Sequence, residues 1–204
     1  MAAQVPCIVV KLGGSLAGDP ALAHWLRELA GNRIARFVAV PGGGPFADAV
    51  RAAQGLWQFS DEVAHVMAIV AMDQFGHMLC GIEAGSIACS TLPQIERAWA
   101  SGRLPVWLPS YLMSADRRLP RNWRVTSDTI AAWLARALGA AGVLLVKSCD
   151  LPDEPDDPAS LAVAGIVDPF LPDFLSGNGL ALRLVQRDRW GDLSVAVSRL
   201  VGRD

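Results

Sequence analysis

The fold of this chain is decided by the stretch Cys7–Ser15, CIVVKLGGS. Its apolar start is typical of a buried strand, which ends at Lys11 before the adjacent glycines Gly13 and Gly14. Consecutive glycines reach positive φ and can point several backbone N–H groups into one concavity. When a helix starts behind such a loop, its dipole adds the equivalent of about half a positive charge. The stretch therefore predicts a strand that leads into an anion-binding loop.

A second junction of the same kind follows. The predicted strand 35–40 runs into residues 41–45, PGGGP, ahead of a helical stretch. Neither glycine junction has the spacing of a P-loop or of a Rossmann turn, so a nucleotide site of another kind is expected. A plain tight turn is the alternative for the first junction, Gly13–Ser15, taken alone.

Lysine is rare in this sequence. Lys11 and Lys147 are the two lysines among eighteen basic residues, and each ends an apolar run. Genome composition can explain an arginine bias, but a lysine beside a glycine loop supplies a compact cation that can follow a moving phosphoryl group. For Lys147 the alternative is a strand-end side chain that only reaches solvent.

The composition favours small-molecule chemistry. The 204 residues fit a single domain, 1–204, long enough to bury a sizeable core. A net charge of −2 and a pI near 5.9 argue against a nucleic-acid partner, which needs a basic face. No apolar run reaches the roughly 20 residues that span a bilayer, and residues 1–6 do not resemble a signal peptide, so no membrane partner is expected.

The cysteines bear on compartment and on metal binding. They form no CxxC pair and no zinc spacing, and they are Cys7, Cys80, Cys89 and Cys149. Free thiols in a reducing cytoplasm, with no metal ligands, are the expectation.

Predicted strands and helices alternate along the chain. Strands are predicted at 7–11, 35–40, 104–108, 142–147 and 181–185, and helices at 20–30, 45–54, 60–79, 91–100, 127–138 and 191–201. Asp19 and Ser127 are interpreted as helix caps, Gly31 and Gly139 as residues just past a helix end, and 115–122 and 151–158 as loops. The alternation favours an α/β fold, a three-layer αβα sandwich with a mostly parallel central sheet, whose ligands bind at the carboxyl ends of the strands.

Three segments together resemble the amino-acid kinase family, which includes acetylglutamate, uridylate and isopentenyl phosphate kinases. They are Lys11–Ser15 (KLGGS), Gly42–Gly44 and Thr126–Ala132 (TSDTIAA). The family combines a strand ending in Lys-x-Gly-Gly-Ser, a triple-glycine junction and a later helix with Ser/Thr-Asp-x-x-Ala. Order and spacing match over most of the chain, so the resemblance implies that fold and phosphoryl transfer from ATP with Mg²⁺.

The resemblance also implies a role for each matched residue. Lys11, Asp128 and Lys147 would be catalytic; Gly13, Gly14, Ser15, Ser148 and Asp150 would contact ATP; and Gly42, Gly43, Gly44 and Arg51 would hold the acceptor. Asp128 could also complement the helix dipole as a first-turn acid, with or without a catalytic role, and Arg51 could simply snorkel. Leu151 departs from the family pattern, which has a glycine there.

Residues 41–51 and 64–76 are similar to one branch of that family, found among proteins of methanofuran and tetrahydromethanopterin C1-cofactor metabolism. That branch is related to the kinase that phosphorylates aminomethylfuranmethyl phosphate. His65 falls in the second segment, on a helix face with Ala68, Ile69 and Met72, and such a face is more often core or subunit interface than ligand site.

The function expected from this resemblance is transfer of the γ-phosphoryl group of ATP to a small anionic acceptor. A monophosphate such as an aminomethylfuranmethyl phosphate is the expected acceptor, and a homo-oligomer in the cytoplasm the expected form. Two alternatives stay open: a kinase of the same fold acting on a carboxylate or alcohol, and a non-catalytic protein that binds an anion or nucleotide.

Overall fold

The computed structural model describes residues 5–152, 157–177 and 179–202. Its centre is a six-stranded parallel sheet in the order β3-β4-β2-β1-β5-β6. The strands are β1 (Cys7–Leu12), β2 (Arg36–Pro41), β3 (Ser86–Cys89), β4 (Leu104–Trp107), β5 (Gly142–Lys147) and β6 (Ala181–Gln186). Because β1 lies between β2 and β5, the loops that follow these three strands meet at one edge of the sheet.

Helices cover both faces of the sheet. They are α1 (Ala21–Gly31), α2 (Gly44–Trp57), α3 (Asp61–Ile82), α4 (Leu92–Ala100), α5 (Ser110–Ala115), α6 (Ser127–Leu138), α7 (Pro158–Val163), α8 (Leu171–Ser176) and α9 (Leu193–Leu200). Short 3₁₀ turns occupy Gly14–Leu16 and Trp190–Asp192. The expected three-layer α/β architecture with a parallel sheet is confirmed.

Strand alternation divides the interior into two cores. Val9 and Val38 pack with α4, α6 and α8 on one face, whereas Ile8 and Phe37 pack with α1 and α9 on the other. The long helix α3 contributes to both cores. By length and composition α3 could cross a bilayer, but some of its apolar residues pack into both cores, and one such helix does not indicate a membrane protein.

The predicted elements are present with small shifts, and four others were missed. Helix α2 extends three residues beyond the predicted 54, and Gly31 is the last residue of α1 rather than the first after it. The missed elements are β3, α5, α7 and α8, each of four to six residues. Segments so short carry too little periodicity to be recognised, and residues 153–156 of the predicted loop 151–158 lie outside the described part.

Candidate active site

Lys11, Asp128 and Lys147 meet at the carboxyl edge of the sheet. The Lys11 Nζ lies 2.9 Å from Asp128 Oδ1, and the Lys147 Nζ donates a hydrogen bond of 2.6 Å to Asp128 Oδ2. Strand alternation explains the convergence: Lys11 shares the face of Val9, Lys147 shares that of Leu145, and α6 covers both. The three residues that the resemblance assigns to catalysis thus lie in contact, and we call them the Lys–Asp–Lys cluster.

The Lys–Asp–Lys cluster is buried, with side chains no more than 9% exposed. Burial alone would raise the pKa of Asp128, but the ammonium groups of Lys11 and Lys147 outweigh it and hold that pKa below its usual range. Burial and the charge of Lys11 lower the pKa of Lys147, against the opposing pull of Asp128. The two ammonium groups of the cluster are the cations that a bound phosphate would meet.

Asp168 supports this cluster from a distant part of the sequence. It accepts hydrogen bonds from the backbone N–H groups of Thr126, at 2.8 Å, and Thr129, at 2.9 Å, and also from the Thr126 hydroxyl. The predicted cap of α6 by Ser127 is therefore wrong: Thr126 occupies the cap position, and the capping carboxylate is that of Asp168. The sequence offered no signal for it, since local capping motifs place the acceptor within three residues of the helix start.

The two glycine junctions pack directly against each other. A methyl group on Gly14 would lie 2.2 Å from the Gly44 nitrogen, and one on Gly42 would lie 2.3 Å from the Gly14 nitrogen. Such distances exclude any side chain, so the close approach of the two loops requires glycine at both positions. Gly44 must also be glycine because its φ is +54°, a backbone angle that other residues rarely adopt.

Gly43 differs from its neighbours. Its φ of −80° is open to any residue, so its backbone angle does not require glycine. A methyl group there would instead lie 2.3 Å from the Ala47 Cβ within α2. The requirement for glycine at Gly43 therefore comes from crowding with the next turn of its own helix.

The end of β5 is joined to the first glycine junction. The Ser148 hydroxyl donates a hydrogen bond of 2.8 Å to the Ser15 Oγ. A methyl group on Gly13 would lie 3.4 Å from the Lys11 Nζ, so that ammonium lies directly beside the loop. Asp150 is exposed three residues beyond β5 and forms no ion pair within the described part of the chain. The structure thus brings Gly13, Ser15 and Ser148 together beside Lys11.

A cavity of about 260 Å³ opens beside the two glycine junctions. Its polar lining residues are Ser15, Asp48, Arg51, His65, Thr126 and Ser127. The Arg51 guanidinium lies 3.8 Å from the Trp123 ring centroid, so part of its charge is engaged in a cation–π contact. The predicted acceptor residues Gly43, Gly44 and Arg51 line this cavity, and Gly42 lies behind it against Gly14.

His65 stands between this cavity and a second one of about 490 Å³. It is buried, and burial lowers the pKa of its imidazole, an effect only partly opposed by a hydrogen bond to the backbone of Asn122. At neutral pH the side chain is therefore uncharged. Ile69 also borders both cavities, so this turn of α3 forms their common wall.

Known proteins resemble the chain in sequence and in fold. A model of the amino acid kinase family matches residues 6–151. The [5-(aminomethyl)furan-3-yl]methyl phosphate kinase of Methanocaldococcus jannaschii is 30% identical over 144 residues, which cover 70% of this chain and 66% of that relative. The match thus spans a little under two thirds of the relative's length.

Solved structures share the fold at low sequence identity. The UMP kinase of Bacillus anthracis aligns with a TM-score of 0.66 and 15% identity over 97% of this chain and 92% of the other. The uridylate kinase of Archaeoglobus fulgidus gives 0.64 and 15% over 89% and 92%, and an isopentenyl phosphate kinase gives 0.59 and 14% over 96% of each chain. With the family model covering most of its length, the chain belongs to the amino acid kinase family.

Proposed function

We propose that this protein is a kinase that transfers the γ-phosphoryl group of ATP to a small phosphate monoester, such as an aminomethylfuranmethyl phosphate, in C1-cofactor biosynthesis. The observation that carries the proposal is the buried Lys–Asp–Lys cluster beside two packed glycine junctions. Residues so far apart in sequence have no structural need to converge, whereas phosphoryl transfer needs cations held in place next to the reacting anions. The relative from Methanocaldococcus jannaschii supports a phosphate-type acceptor.

The described residues fit ATP. Gly13, Gly14 and Ser15 lie beside Lys11, and the two ammonium groups of the cluster offer the positive charge that nucleotide phosphates need. Within the described residues no group of three or more acids and histidines could hold a metal ion by itself. Mg²⁺ would therefore be held chiefly by the nucleotide phosphates and would supply charge neutralisation there.

The chemistry asks little of the protein beyond positioning and charge. An oxygen of the acceptor phosphate forms a bond to the γ-phosphorus, the bond from that phosphorus to the bridging β–γ oxygen breaks, and ADP leaves with the electron pair. A phosphate monoester has a second pKa of about 6, so near pH 7 its attacking oxygen needs no general base. Lys11 and Lys147 stabilise the transferring group, while Asp128 keeps both ammonium groups in place.

Asp48 gives the cavity a negative side. It lies one turn beyond Gly44 on α2, about 6 Å further along the helix axis, and it lines the same cavity. Asp48 is exposed and forms no ion pair among the described residues. The proposed acceptor is a five-membered ring with two one-carbon arms. Such a molecule is long enough to reach from the glycine junction at Gly44 to Asp48. We infer that Asp48 binds the ammonium group of an aminomethyl acceptor.

We also propose that copies of this protein associate through helix α3. Helix α3 exposes apolar side chains along one face, namely Val63, Val66, Met67 and Val70. Exposed apolar faces of this kind mark association sites in many soluble proteins. Analytical ultracentrifugation of wild type and Val66→Glu would show whether this face holds copies together, because a buried charge would dissociate them.

A panel of acceptors tests the proposed reaction. ADP release with ATP and Mg²⁺ is measured against an aminomethylfuranmethyl phosphate, its analogue without the amine, a carboxylate and a neutral alcohol of similar size. We expect turnover with the two phosphates and a diphosphate product visible by ³¹P NMR. Turnover confined to the carboxylate or the alcohol would show a different acceptor class, and tight anion binding without turnover on any acceptor would favour the non-catalytic alternative.

A further inference from the structure

Asp168 is a buried acid that the reaction described above does not use. It is 6% exposed and lies shortly before α8, 40 positions after Asp128 in the sequence. Its carboxylate satisfies two backbone N–H groups at the start of α6, which would otherwise lack partners. Asp128 stands in that same first turn, between the two N–H groups that Asp168 accepts from.

We propose that Asp168 is a positioning residue for the Lys–Asp–Lys cluster, an inference that deepens the proposed kinase function and rests on it. By holding the backbone on both sides of Asp128, it sets where the Asp128 carboxylate lies between the two ammonium groups. It also adds a second buried negative charge, so that two lysines face two carboxylates.

An ordinary helix cap does not account for Asp168. Thr126 occupies the cap position and has a hydroxyl able to cap, yet that hydroxyl donates to Asp168 instead of accepting from α6. Burial raises the pKa of Asp168, and the nearby charge of Asp128 raises it further. A second acid placed beside the first is thus costly, and a neutral cap would avoid that cost.

The charge of Asp168 acts on Lys147. The groups that face Lys147 are Lys11 from β1, Asp128 from α6 and Asp168 from the segment before α8. Burial and Lys11 lower the pKa of Lys147, whereas Asp128 and Asp168 raise it. Asp168 therefore helps Lys147 to stay an ammonium in a site where burial favours the neutral amine.

The experiment compares Asp168→Asn with Asp168→Glu. Asp168→Asn keeps a similar shape and one acceptor oxygen but removes the charge, and we expect kcat to fall between about tenfold and a hundredfold because Asp128 shifts. The KM for ATP should change less than kcat does. Asp168→Glu keeps the charge but displaces the carboxylate. Asp128 should therefore still be misaligned with the two lysines, and kcat should also fall.

Because the chain has only two lysines, their charge can be followed directly. Selective ¹⁵N labelling of lysine gives two side-chain amine signals, assigned with Lys11→Arg and Lys147→Arg. In Asp168→Asn the Lys147 signal should titrate at lower pH than in wild type, and in Asp168→Glu close to wild type. This readout does not depend on turnover, so it separates a failed acceptor assignment from a failed role for Asp168.

The matched control is Asp157→Asn. Asp157 caps the short helix α7 through the backbone N–H of Ala159 at 2.8 Å, and it is exposed on a different helix from the cluster. Loss of that cap should leave kcat and both lysine titrations unchanged. If Asp168→Asn keeps the wild-type kcat and Lys147 titration and only unfolds more easily, Asp168 is a cap and the proposal is wrong. Should Asp168→Asn fail to fold, wild-type kcat in Asp168→Glu would overturn the positioning role.

Discussion

Lys147 and Asp128 are 19 positions apart in the sequence, yet the Lys147 Nζ lies 2.6 Å from Asp128 Oδ2 inside the protein. Lys147 is the last residue of β5 and Asp128 the second residue of α6, the helix that precedes that strand. A helix packed antiparallel to the strand it precedes brings its own start beside the strand's end. The connection that builds the sheet thus also builds the ion pair, with Lys11 added from the neighbouring strand β1.

Lys11→Ala should strongly reduce turnover and leave the protein folded. The variant loses one cation that stabilises the transferring group, which we expect to raise the barrier by about 3 kcal/mol or more and to lower the rate about a hundredfold. The fold should persist because Asp128 keeps its pairing with Lys147. Steady-state kinetics and circular dichroism check both parts, and wild-type turnover in this variant would show that Lys11 has no catalytic role.

Asp128→Asn should destabilise the protein much more than Lys11→Ala does. The variant leaves two buried ammonium groups without a carboxylate between them, and breaking a buried pair in this way costs about 3–5 kcal/mol. Urea denaturation of the two variants beside wild type measures the difference in the free energy of unfolding. Equal stability of Asp128→Asn and wild type would mean that the two lysines are solvated, contrary to their burial here.

Gly43→Ala should weaken acceptor binding more than ATP binding. The added methyl group meets the Ala47 Cβ on the side of the cavity that Gly43 and Ala47 line together. A second substitution, Ala47→Gly, removes that clash and should restore acceptor affinity, at a cost in helix stability of about 1 kcal/mol. Isothermal titration calorimetry measures the affinity of each variant for ATP and for the acceptor. An equal loss of affinity for the two ligands would contradict the assignment of this junction to the acceptor.

Asp48→Asn should discriminate between acceptors that differ only in an amine. Loss of the carboxylate removes a charge-assisted hydrogen bond worth about 1.5–3 kcal/mol, so kcat/KM for an aminomethyl acceptor should fall about tenfold or more. The analogue without the amine should be unaffected. An equal loss on both acceptors would show that Asp48 shapes the cavity without recognising the ammonium group.

Asp116 should stabilise the protein near neutral pH and lose this contribution at acidic pH. Its hydrogen bonds to the Arg118 side chain are the main reason that the pKa of Asp116 lies at about 2. An unfolded aspartate titrates near 3.9, so this contribution is complete above about pH 4 and is lost as the pH falls towards 2. Thermal melts of Asp116→Asn should run below wild type at pH 6 and converge with it near pH 2. The control Asp188→Asn, at an exposed acid, should show no such convergence.

The fold could be predicted from the sequence because its long elements follow simple rules. Apolar runs end at Lys11 and Lys147, amphipathic helices alternate with them, and this pattern requires a parallel sheet covered on both faces. The missed strand β3 is stabilised by its hydrogen bonds to β4 and carries no periodicity of its own over four residues. Short edge elements of this kind depend on a neighbour that the local sequence does not reveal.

The sequence by itself determined the residue types of the site, since glycine, lysine and aspartate at these spacings already indicated an anion-binding edge. Only the tertiary structure decided which glycines touch, with Gly14 against Gly44, and that Gly43 is restricted by its own helix. It also decided that the start of α6 is capped by Asp168, 42 positions from Thr126. Residue types and their local spacing are properties of neighbouring residues. Contacts between glycine loops and between buried charges join residues that are far apart in the sequence, so they form only when the whole sheet and its helices pack.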